Sequence, residues 1–189
     1  MALVFNEEQR LLQDTARDFL NSNAPVDALR TLRDSRDETG YSTELWQQMA
    51  ELGWASIILP EQYGGLNFGF MGLGAVVEET GRTLTASPLL SSAIVGASAL
   101  LLGGNDLQKE ALLPEVAAGT LTLSLALEES NHHNPTGVAM TATQDGDHYI
   151  LNGRKLFVVD GHTADKLIVA VRTSGEASEQ AGISLFIVD

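Results

Sequence analysis

Cysteine is absent from this 189-residue chain. Disulfides, thiolate metal sites and a cysteine nucleophile are thereby excluded. Basic residues are scarce: 11 Lys and Arg stand against 25 Asp and Glu, a net charge of −14. They are scattered, with no Lys/Arg cluster. Nucleic acid and anionic membrane surfaces are poor partners for such a chain. Long apolar runs are missing too. The longest, Leu89 to Leu102, is 14 residues and includes three serines. It is too short to span a bilayer and reads as a buried helix. Met1 to Gln9 is too polar for a signal peptide, because Asn6, Glu7 and Glu8 arrive at once. These readings point to the cytoplasm.

What is present divides near Thr120. The hydrophobic content, 44%, suffices for one sizeable core or two small ones. Before Thr120 the apolar spacing is helical. Leu11, Leu12, Phe19 and Leu20 form one face of a helix from about Asn6 to Asn21. Pro25 interrupts, and a second helix runs from Val26 to about Arg33. Ser42 or Thr43 caps a third, with Leu45, Met49 and Leu52 inward and Gly53 as its stop. Ile57 to Pro60 reads as a short extended piece. Helices resume over Phe70 to Gly81, Ser87 to Leu102 and Asp106 to Ala118. Glu78 and Glu79 read as helix surface.

After Thr120 the period shortens to that of strands. These are expected over Leu121–Leu127, Val138–Thr143, His148–Leu151, Lys155–Val159, Lys166–Val171 and Ile183–Val188. Asp145-Gly146, Asn152-Gly153, Asp160-Gly161 and Ser174-Gly175 separate them; such dipeptides favour tight turns. Ser174 to Ala181 is the most polar loop and the best candidate for disorder. Helices followed by strands argue an α+β fold rather than a doubly wound sheet. The expected domains are a helical one over 1–119 and an antiparallel β domain over 120–189, incomplete at its C-terminal end.

His132 and His133 invite a metal reading, with His148 and His162 as further ligands. Adjacent histidines in a strand face opposite sides, and no carboxylate sits at ligand spacing. A polar loop is the better reading. Glu128 and Glu129 suggest a general-base pair, but the simpler reading is solvated loop charge. Gly64-Gly65 lacks the Lys and Ser/Thr of a phosphate loop.

Several pieces, in order, resemble the acyl-CoA dehydrogenase family. They are Glu51 to Trp54 with Leu59 to Leu66, Glu78 to Gly81, Gly103 to Ala118, Leu125 to Glu129, Asp145 to Lys155 and Phe157 to Val159. The resemblance implies FAD-dependent α,β-desaturation of an acyl-CoA thioester. It also implies a helical N-terminal domain, a β middle domain and a C-terminal helical bundle, of which the first two match here. Leu125, Leu127 and Glu128 would hold the isoalloxazine, with Phe157, Val158 and Val159 beside the ring. Asn134 takes a substrate contact, and helices between Phe70 and Leu102 wall the acyl pocket. The family's catalytic carboxylate lies in the bundle, so no catalytic residue is assigned and the chain alone is expected to be inactive. The implied partners are acyl-CoA, an electron-transfer acceptor protein and further subunits of a homo- or hetero-oligomer. An anionic acyl-CoA would need a local basic spot that the sequence does not advertise.

The departures are specific. The family's Ala-Leu-Thr-Glu-Pro has Glu128 for Thr and Ser130 for Pro. Its Gly-Ala-Gly-Ser-Asp loop becomes Asn131 to Gly137. Its ring-contacting Thr becomes Val159, whose side chain donates no hydrogen bond. These changes, with the bundle's walls missing, predict that residues 1–189 alone bind FAD weakly or not at all. They keep open a non-catalytic partner subunit of a heteromeric enzyme, and a flavin oxidase or monooxygenase on the same fold.

Overall fold

A computed structural model describes residues 4–189. A helical part precedes a sheet part. The helices are α1 (Glu7–Asn23), α2 (Val26–Ser35), α3 (Thr43–Glu51), α4 (Gly69–Thr83), α5 (Ala97–Gly103) and α6 (Asp106–Ala117). Asn6 and Asn105 build capping boxes with Gln9 and Gln108, satisfying orphan amides of α1 and α6. Ser42 caps α3, and Gly53 follows it at φ +81°, as a helix stop requires.

The stretch from Leu89 to Leu102 is not one regular helix. Leu89–Gly96 is π-helical and runs directly into α5. Ser91 and Ser92 lie within it and are buried. Hydroxyls in an apolar helix need partners, and both serines find theirs outside it, as described below. Ile57 to Pro60 is also not extended: Trp54–Ser56 is a 3₁₀ turn, and the chain coils on to Pro60. Ile57 and Leu59 are buried there through tertiary packing. Leu52 is 41% exposed rather than inward, because α3 ends before it.

Two cores organise the helical part. Leu20, Trp46, Met49, Trp54, Leu73 and Val76 pack in the first. The second joins Leu59, Leu100, Leu113 and Val116 to Leu121, Leu123 and Ile168. It crosses the Thr120 boundary and so couples helices to sheet. Trp46 Nε1 donates to the Gly119 carbonyl at 3.0 Å, a further tie at that junction. Glu79 is not surface: it is 1% exposed and takes both oxygens to Arg17, at 2.8 and 3.1 Å. Those bonds hold its carboxyl below the usual range, joined by the charges of Arg17 and Arg82 and opposed by burial. The pair locks α1 onto α4.

The strands are β1 (Leu123–Ala126), β2 (Thr141–Asp145), β3 (His148–Asn152), β4 (Lys166–Arg172) and β5 (Ile183–Val188). The sheet is mixed rather than purely antiparallel. β2–β3 and β4–β5 are antiparallel hairpin-like pairs, whereas β1–β4 and the single β2–β4 bridge are parallel. Turn dipeptides betray the antiparallel neighbours; the parallel pairing joins segments about 40 residues apart and leaves no local signal. Lys155–Val159 is not a strand either. It is a loop with Phe157 at φ +52° and Asp160 at φ +54°, conformations incompatible with a ladder. The loop from Ser174 to Ala181 is anchored rather than loose. Arg172, 6% exposed, donates to the carbonyls of Ala177 and Ala181 there, and to those of Thr136 and Val138 in the segment that leads into β2.

Candidate functional site

The end of β1 and the 155–160 loop lie side by side. Leu156 N–H donates to the Glu128 carbonyl at 2.7 Å. Ser124 Oγ donates to the Val159 carbonyl. Lys155 Nζ donates to the Leu127 carbonyl at 3.1 Å and to Glu129 Oε1 at 2.6 Å. The two segments singled out in the sequence, Leu125–Glu128 and Phe157–Val159, are thus brought together. Leu125, Leu127, Glu128 and Val158 are half-buried. Phe157 and Val159 project outward, 73% and 52% exposed. A left-handed φ at a non-glycine residue costs on the order of 1–2 kcal/mol. Here that conformation coincides with an exposed Phe157 ring.

The loop divides two cavities. Val158 faces an open groove of about 590 Å³, walled by Ala126, Met140, Leu151, Lys155, Leu167 and Val169. Val159 and Asp160 face a second cavity of about 420 Å³. Its other walls include Tyr41 and, from the expected acyl-pocket helices, Val77, Thr80 and Leu90. His162 lines both cavities. Both spaces are within the size of small-molecule sites, apolar with a few polar groups. Among the described residues Asp160 is the one carboxylate lining either, and Ser91 Oγ donates to it at 2.6 Å. Burial raises the Tyr41 hydroxyl pKa, reinforced by Asp165 and Asp160, so it stays a donor.

Neither glutamate after β1 is free in solvent. Glu129, with a side chain 15% exposed, accepts the amides of Ala139 and Met140 and pairs with Lys155, itself 6% exposed. Burial raises its carboxyl pKa, but Lys155 and the two amides outweigh that and hold it below the usual range. Glu128, 19% exposed, turns to the loop that follows. It accepts the Asn134 amide at 3.2 Å and meets His133 Nδ1 at 2.6 Å. The Asn134 amide and then His133 lower its pKa. The charge that replaces a family threonine is therefore compensated within its own loop. Asn134 is occupied likewise: its Oδ1 accepts from Gly137 N and Thr136 Oγ1, and it lines neither cavity.

Sequence reasoning missed Lys155, Ser91, Asp160 and Tyr41, and weighed His162 only as a metal ligand. One signal for Ser91 was available, a hydroxyl inside the longest apolar run. Asp160 and His162 lie in an ordinary-looking turn, Tyr41 lies in a short loop, and Lys155 was read as the start of a strand. Among the described residues no group of three or more His, Asp or Glu is placed to hold a metal ion. No described helix is long and apolar enough to cross a membrane.

The helical part is thus coupled through one shared core to a mixed sheet, with an exposed aromatic loop between two cavities. Comparison with known proteins supplies the family. "Acyl-CoA dehydrogenase, N-terminal domain" matches residues 6–120, and "Acyl-CoA dehydrogenase, middle domain" matches 125–189. The chain is 35% identical over 188 residues to the mitochondrial isovaleryl-CoA dehydrogenase of Pongo abelii, covering 97% of this chain and 44% of that protein. Its fold is similar to that of the Tcur3481-Tcur3483 steroid ACAD G363A variant, with TM-score 0.83 and 32% identity over 97% of this chain and 48% of that one. It is also similar to the ChsE4-ChsE5 complex from Mycobacterium tuberculosis, with TM-score 0.83 and 26% identity over 100% of this chain and 48% of that one. The chain belongs to the acyl-CoA dehydrogenase family. It spans about half the length of the relatives it matches.

Proposed function

We propose that this chain supplies one wall of an FAD site and one wall of an acyl pocket in an enzyme that desaturates acyl-CoA thioesters. One observation carries the reading: the hydrogen bonds that lay the 155–159 loop along the end of β1, with Phe157 and Val159 exposed beside the 420 Å³ cavity. The residues fit the group. An outward Phe ring is a stacking surface for a planar heterocycle. The half-buried Leu125, Leu127 and Val158 offer apolar contact along its edge. FAD, when bound, takes up the hydride lost from the substrate β-carbon.

The protein's own part is positioning. Val77, Leu89 and Leu90 present apolar surface to an acyl chain, while Tyr41, Thr80 and Ser87 offer hydroxyls along the same cavity. Asp160 is engaged by Ser91 and is not assigned as the base. We place that base, the electron-transfer acceptor protein and any further subunits outside residues 1–189. Turnover of an acyl-CoA series with an artificial electron acceptor, by the complete protein together with any co-purifying chains, tests the reading. Turnover that falls in Phe157→Ala supports it; a complete protein that neither binds FAD nor oxidises any acyl-CoA overturns it.

A second reading is a non-catalytic partner subunit in a heteromeric enzyme. Val159 favours it, since its side chain offers the ring no hydrogen bond. The similarity to the ChsE4-ChsE5 complex adds to it. Stoichiometry decides between the two: one FAD per copy of this chain supports the first reading, and none on this chain within a flavinylated complex supports the second.

A further inference from the structure

Phe157 and Asp160 both hold left-handed backbone angles, three residues apart, in a loop without ladder hydrogen bonds. Such conformations persist only where the surroundings fix them, and they gather at ligand sites. The loop is held between its ends by Leu156 N–H on the Glu128 carbonyl and Ser124 Oγ on the Val159 carbonyl, and its two ends are fixed by side chains. At the first, Lys155 reaches Leu127 and Glu129. At the second, Asp160 accepts from Ser91, which is 3% exposed and sits in the π-helical segment. The same segment also seats β1. Ser92 Oγ accepts the Leu123 amide at 3.1 Å, and a Cβ on Gly96 would fall 2.4 Å from Leu123 Cβ. One irregular turn of helix therefore sets the position of both halves of the candidate ring site. π-helical turns are rare and recur at functional sites. Ser91 and Ser92, adjacent in this winding, meet two different segments, the 155–160 loop and β1.

We propose that Ser91 and Asp160 are a positioning pair, which holds the loop of Phe157 and Val159 ready-formed to receive the flavin ring. This rests on the flavin reading above. The pair works by preorganisation: a loop already in its bound shape loses less conformational freedom when the ring docks. Neither residue needs to touch the ligand. The carboxylate is required as an acceptor only, so an amide at position 160 preserves the function.

The test uses the full chain in four variants: Ser91→Ala, Asp160→Ala, Asp160→Asn and Asp160→Gly. Amide hydrogen exchange is followed without ligand, and FAD is titrated with amide chemical shifts as readout. We expect Ser91→Ala, Asp160→Ala and Asp160→Gly to speed exchange across 155–162 while β4 and β5 stay protected. We expect FAD affinity in these three to fall about two- to tenfold, the size of one lost hydrogen bond. Asp160→Asn should stay near the parent in both measurements. Asp160→Gly relieves backbone strain, so weaker binding there separates the clamp from mere strain. Unchanged exchange and affinity in Ser91→Ala and Asp160→Ala overturn the positioning pair and leave the flavin reading standing. Faster exchange with no FAD binding even by the parent overturns the flavin reading and, with it, the ligand given to this pair.

Discussion

Replacing Lys155 by methionine keeps most of the apolar stem and removes the ammonium. Two bonds vanish, one to the Leu127 carbonyl at 3.1 Å and one to Glu129 at 2.6 Å. Glu129 keeps its two amides from Ala139 and Met140, so it is weakened rather than stranded. A hydrogen bond to a charged group contributes roughly 1.5–3 kcal/mol. With both side chains mostly buried, at 6% and 15% exposure, screening is limited. The expected loss is about 2–3 kcal/mol, or roughly 4–12 °C in Tm for a chain of this size. Urea unfolding of the parent, Lys155→Met, Glu129→Gln and the double variant closes the cycle. The pH dependence has a definite sign. The folded carboxyl of Glu129 lies below its usual value of 4.5. Its stabilisation is therefore complete above that value and is lost as pH falls through the lower folded one. The gap between parent and Lys155→Met should be widest near pH 7 and narrow below about pH 4. A destabilisation under about 0.5 kcal/mol, or double-variant additivity, would refute this account of the tie, since that is what an ordinary surface change gives.

Phe157→Ala should leave stability within about 0.5 kcal/mol, because the ring is 73% exposed; FAD affinity should fall by about three- to tenfold as an aromatic contact is lost, measured by titration. Val159→Thr should tighten FAD about two- to tenfold if the added hydroxyl reaches the ring, in the same assay. Residues 1–189 alone should show no acyl-CoA oxidation with an artificial acceptor, because loss of a general base costs on the order of a hundredfold to ten-thousandfold.

Much of the fold was legible because its signals are local. Asn6, Ser42 and Asn105 cap helices through bonds to residues three further on, and Gly146-Asp147, just after Asp145, closes the β2–β3 hairpin. The sheet's parallel pairing was not legible, since Leu123 meets Lys166 far along the chain and no tight turn joins the two strands directly. Phe157 was misread as a strand residue, because an aromatic between aliphatics has strand composition whatever its φ. The π-helical winding of Leu89–Gly96 likewise leaves the apolar pattern of an α-helix intact. The proximity of Leu125–Glu128 to Phe157–Val159 was reached by resemblance to a family, not from spacing. The reading of Glu128 as solvated loop charge missed its partner: His133, in a loop read as polar, lies 2.6 Å from its carboxylate.

The central claim is that the end of β1 and the 155–159 loop form one wall of a flavin site. Amide chemical-shift mapping of residues 1–189, titrated with FAD into the millimolar range, tests it directly. The account predicts saturable shifts centred on Leu125, Leu127, Glu128, Phe157, Val158 and Val159, shrinking in Phe157→Ala. Shifts centred elsewhere, or none at millimolar FAD, would contradict it.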